Sequence, residues 1–72
     1  MIKYEYFEII KRVKNLPFKV GCFIKGYKLA NTYHLGGYAL GEYRKKELIK
    51  SGAIKRIPKT KLIEILISRH IY

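Results

Sequence analysis

Seventy-two residues allow one small domain, and a chain of this size hides only about 60% of the surface its unfolded form exposes. Its one cysteine, Cys22, cannot form an internal disulfide, and no apolar run reaches the roughly 18 residues that would span a membrane. Sixteen Lys and Arg against five Glu and no Asp give +11, a charge that opposes compaction by self-repulsion unless a polyanion relieves it.

Residues 2–16 are predicted as an amphipathic helix. Ile2, Tyr6, Ile9, Ile10, Val13 and Leu16 recur three or four apart, with Lys3, Glu5, Glu8, Lys11, Arg12 and Lys14 between them. Glu8 precedes Arg12 by four, the favourable order for a helical ion pair, and Pro17 ends the segment. Lys3, Glu5 and Glu8 also break up any apolar leader, so the expected compartment is the cytoplasm.

After Pro17 the period changes. Phe18, Val20, Cys22 and Ile24 alternate with Lys19, Gly21, Phe23 and Lys25, which predicts a half-buried strand with Cys22 as a small buried hydrophobe. A β-hairpin of residues 18–24 and 27–35 is expected, with Gly36-Gly37 marking the loop that follows.

Residues 39–51 read as a second helix. Glu42 is expected to pair with Lys45 or Lys46, Leu40, Tyr43, Leu48 and Ile49 form a partial apolar face, and Ser51-Gly52 close the helix with Gly52 left-handed. Residues 53–57 suit a short strand. The stretch 61–72 alternates as a strand would at Ile63, Ile65 and Ile67, yet its length and the preceding Pro58 favour a helix. The fold class is therefore α+β: one domain, residues 1–72, ordered helix, β-hairpin, helix, short strand, helix.

The run Arg56-Ile57-Pro58-Lys59-Thr60-Lys61-Leu62-Ile63-Glu64-Ile65-Leu66 resembles the closing strand and helix of excisionase-type winged helices. The residues upstream do not fit that pattern, and the strand–turn–strand of a wing has no room before Pro58, so no family is assigned.

Charge is concentrated. Residues 44–61 carry Arg44, Lys45, Lys46, Lys50, Lys55, Arg56, Lys59 and Lys61 against Glu47 alone, and these eight cations are the candidate nucleic-acid contacts, made mainly to phosphate. Tyr27, Tyr33, Tyr38 and Tyr43 lie through the glycine-rich middle, where tyrosines serve either as core rim or as stacking surfaces for bases. Tyr38 and Tyr43, nearest the cations, are the candidates for stacking.

Cys22, His34 and His70 have no zinc-ligand spacing, the five Glu are scattered, and Gly36, Gly37 and Gly41 do not form a phosphate-binding loop. No metal, cofactor or catalytic residue is expected, and the chain is not read as an enzyme. The leading reading is a small basic DNA- or RNA-binding protein. The alternative is an interaction or inhibitor protein of phage or plasmid type, docking its basic face on an acidic protein or a ribonucleoprotein assembly. In either case the isoleucine-rich C-terminal element is the candidate homodimer contact.

Overall fold

The computed structural model describes residues 3–68 and 70–72, and it begins with a strand where the apolar spacing predicts a helix. In chain order the elements are β1 (Glu5–Ile9), β2 (Phe23–Leu29), β3 (Thr32–Leu35), β4 (Tyr38–Ala39), α1 (Glu42–Lys50), β5 (Ile54–Arg56) and α2 (Lys59–Ser68). The α+β class holds, and the expected helix over 2–16 is replaced by β1 and an irregular segment. Ile2, where that helix was to begin, and Arg69, within the expected last helix, lie outside the described residues.

Phe7 decides the correction. It is fully buried, yet the helical stripe leaves it off the apolar face. As a strand, residues 5–9 send Phe7 and Ile9 to one side and Tyr6 and Glu8 to the other. Val13 and Leu16, counted as helical repeats, are instead plugs that the segment 10–22 inserts into the core. Glu8 does not meet Arg12 as an i,i+4 partner, because it lies opposite Lys55 across the β1–β5 pair.

The sheet order is β4-β3-β2-β1-β5, with every adjacent pair antiparallel. Register places Phe7, Ile9, Ile24, Gly26, Tyr33, Leu35 and Ile54 on one face, where Leu48 of α1 and Val13, Leu16 and Phe18 complete the core. The opposite face carries Tyr6, Lys25, Tyr27, His34 and Lys55.

The hairpin is real but displaced from 18–24/27–35. Its strands are β2 and β3, joined at Ala30-Asn31, both with positive φ (50° and 64°), the two-residue turn that matches strand twist. Residues 18–22 precede β2. There Val20 is 60% exposed, while Cys22 is partly buried against the core and its carbonyl accepts from the Ile9 N–H at 2.9 Å.

α1 ends as its sequence predicts. Gly52 is left-handed (φ 79°), its N–H donates to the Ile49 carbonyl at 3.1 Å, and the Ala53 N–H donates to the Leu48 carbonyl at 3.0 Å. This pair of bonds is the glycine-terminated helix cap, and it turns the chain directly into β5. Pro58 then stands before α2, as expected for a helix start. The strand–proline–helix shape of the excisionase-like run is thus present, but β5 is the edge strand of a five-stranded sheet rather than part of a wing. α2 leaves Ile63, Leu66 and Ile67 exposed, and no helix among the described residues is long and apolar enough to cross a membrane.

Candidate functional site

The site is organised by an acid in a basic protein. Glu5 faces the α1 side of the sheet and is hemmed in by three donors: Lys45 Nζ at 3.1 Å, Arg56 Nη2 at 2.9 Å and the Tyr33 hydroxyl at 3.0 Å. Burial alone would push the Glu5 carboxyl up. The hydrogen bonds from Lys45 and Tyr33 and the charges of Lys45 and Arg56 outweigh it and hold the group below the ordinary carboxylate range. Burial, followed by the hydrogen bond and the charge of Glu5, pushes the Tyr33 hydroxyl well above its ordinary value, so it remains a protonated donor. Lys45 also sits over the Tyr33 ring, 4.4 Å from its centroid.

Gly26 makes room for this arrangement. A Cβ at Gly26 would fall on the Tyr33 phenol, with the ring Cζ at 2.9 Å. The glycine here serves close approach rather than an unusual backbone angle.

Around this network opens a cleft of about 540 Å³ lined by Lys3, Tyr4, Glu5, Lys28, Tyr33, Glu42, Lys45, Arg56 and Lys59. Five cationic side chains thus meet two carboxylates, and four separate parts of the chain supply the cations. Lys45 is only 16% exposed and acts as internal support. Arg56 is 70% exposed; with one end of its guanidinium held by Glu5, its remaining donors face solvent, a posture suited to an incoming phosphate. Lys28 touches Glu42 at 4.0 Å with both side chains well exposed, a contact worth little in water. Among the described residues, Lys3 and Lys59 enter no ion pair.

The predicted site residues are therefore partly gathered. Lys45, Arg56 and Lys59 share the cleft. Lys55 and Lys61 border a smaller hollow beside Glu8 and Pro58 that Arg56 also lines. Lys46 and Lys50 stand exposed on α1, and Arg44 is tied to Glu47 at 3.8 Å. Glu42 reaches Lys28 across to β2, in place of Lys45 or Lys46. Tyr43 is 78% exposed on α1. Tyr38 packs edge-on against Phe18 in an apolar hollow with Cys22 and Tyr72, at the opposite end of β2 from the cleft. Tyr33 is buried. The four central tyrosines do not share one surface.

Sequence reasoning missed Lys3, Lys28 and Tyr4. Strand pairing brings them in: Glu5 pairs with Gly26, so the start of β1 lies beside the end of β2. Recognising residues 5–9 as a strand was the one signal that would have found them.

Among the described residues no group of three or more His, Cys, Asp or Glu converges as a metal site would. Comparison with protein-family profiles, curated proteins and solved structures yields no match.

Proposed function

We propose that this protein binds nucleic acid, holding the phosphate backbone at the cleft through Lys3, Lys28, Arg56 and Lys59. The supporting observation is the convergence of five cations on one recess whose half-buried acid, Glu5, is already bound to Lys45 and Arg56. The cleft thus offers an incoming anion a net positive wall with its geometry set beforehand. Lys45 and Glu5 are positioning residues in this reading, and the exposed cations make the contacts. The wider positive field of α1 and α2 steers the polyanion toward the cleft.

A salt series tests it. With the four cleft cations each holding a phosphate, affinity for labelled oligonucleotides falls about 50- to 150-fold between about 50 and 200 mM salt. Lys3→Glu with Lys59→Glu lowers the salt slope by about two and weakens all sequences alike, whereas Lys14→Glu with Lys19→Glu, outside the cleft, does far less. Equal losses from both pairs would show a diffuse field without a site. Nucleic-acid binding that survives the cleft pair, together with loss of an acidic protein ligand, would transfer the cleft to the alternative reading.

A further inference from the structure

The sheet face turned away from α1 carries an aromatic row that the core does not use. Tyr27 and His34 are paired across β2 and β3, and their rings lie nearly parallel, 7° apart, with centroids 5.3 Å apart. Tyr4 meets Tyr27 edge-on at 5.6 Å, and Lys25 Nζ lies 5.6 Å from the Tyr4 centroid. The row starts at Tyr4, just before β1, and continues across β2 and β3, and the next position in register beyond His34 is Ala39. Ala39 is exposed, and its methyl is too short to cover a neighbouring ring.

Tyr4 joins this row to the cleft. It is 46% exposed, it lines the recess beside Lys3 and Lys28, and it abuts Tyr27. A backbone held by the cleft cations therefore has a stacking surface within a nucleotide or two, on the far side of Tyr4. Duplex bases are already stacked on one another and present no free faces, whereas unpaired bases do.

We infer that the cleft's ligand is single-stranded nucleic acid, its phosphates lying along Lys3, Lys28 and Lys59 and one or two unpaired bases stacking on the Tyr4–Tyr27–His34 row. This rests on the proposed cleft and adds the form of the ligand. Lys25, beside Tyr4, supplies a further cation where the strand turns from one sheet face to the other.

The test compares three probes of about 12 nucleotides by fluorescence anisotropy: an intact single strand, its duplex, and an abasic strand with the same phosphates. The wild-type protein should bind the intact strand about 10- to 100-fold more tightly than the abasic one, the gain expected for one base stacked, and more tightly than the duplex. Tyr27→Ala with His34→Ala, neither of which lines the cleft, should remove that preference and leave abasic binding unchanged, and the unaltered abasic affinity also reports that the fold is intact. Tyrosine emission, the dominant intrinsic fluorescence in a chain without Trp, should be quenched by the intact strand alone. Equal affinity for intact and abasic strands, or a preference that survives in the double variant, overturns the stacking row while the cleft stands. Failure of all three probes to bind overturns the cleft and the row together.

Discussion

Glu5 shows how one side chain fixes the chemistry of its neighbours. It has three donors within about hydrogen-bond reach, and its carboxyl is held below the ordinary range. Such a group contributes stability that is fully present above its unfolded value, near that of a free Glu, and that is lost as pH falls through the lower folded value. Glu5→Gln is therefore expected to destabilise the protein by about 1–3 kcal/mol near neutral pH, since it leaves Lys45 partly buried without its charge partner. The gap between variant and wild type should narrow between neutral pH and a strongly acid pH below the lowered folded value of Glu5, where its carboxyl becomes protonated. Urea unfolding at the two pH values measures this, and a gap that does not change with pH would show that the ionised form is not what stabilises the fold. Nothing in the local sequence marked Glu5 out. Its partners Tyr33, Lys45 and Arg56 lie 28, 40 and 51 residues away, and only strand pairing and the packing of α1 bring them near.

At the scale of elements, the segments with local punctuation were legible. Ser51-Gly52 ended a helix and Pro58 preceded one because those residues act on their own backbone, whatever the rest of the chain does. The 2–16 segment was not legible, because two unlike structures in succession imitated a helical period. β1 is an interior strand with apolar side chains on both faces, Phe7 and Ile9 on one and Tyr6 on the other. The irregular segment after it then places Val13 and Leu16 where a helix would. The density of aromatic and β-branched residues in Tyr4-Glu5-Tyr6-Phe7 and Ile9-Ile10 was the contrary signal. The hairpin itself carries a correctable fault, since Ala30 occupies a left-handed position (φ 50°) that L-residues other than Asn and Asp adopt reluctantly. Ala30→Gly should raise stability by about 0.5–1 kcal/mol, seen as a higher denaturant midpoint with unchanged slope. An unchanged or lower midpoint would mean that the turn is not strained at Ala30.

For the whole molecule, charge and topology act together. The +11 balance was readable at once, but not its shape, because the cleft combines Lys3 and Lys28 from the first half of the chain with Arg56 and Lys59 from the second. With so few acids to offset them, the cations repel one another in the folded state, and screening should ease that repulsion. The melting temperature is expected to rise as salt increases from about 10 to 150 mM, over which the screening length shortens from about 30 to 8 Å. Circular dichroism would record it, and a melting temperature that is flat or falls with salt would indicate that local ion pairs outweigh the repulsion. The same sheet order has a consequence in time. β2 and β3 close through a two-residue turn, whereas β5 must find β1 across about two thirds of the chain (Ile9 with Ile54, Phe7 with Arg56), and distant pairings form slowly. Glu5 meets Arg56 only when that last pairing is made. A nascent or partly folded chain therefore holds its cations scattered, and the recess comes into being only as β5 docks, so that capture of a strand there would report a completed fold.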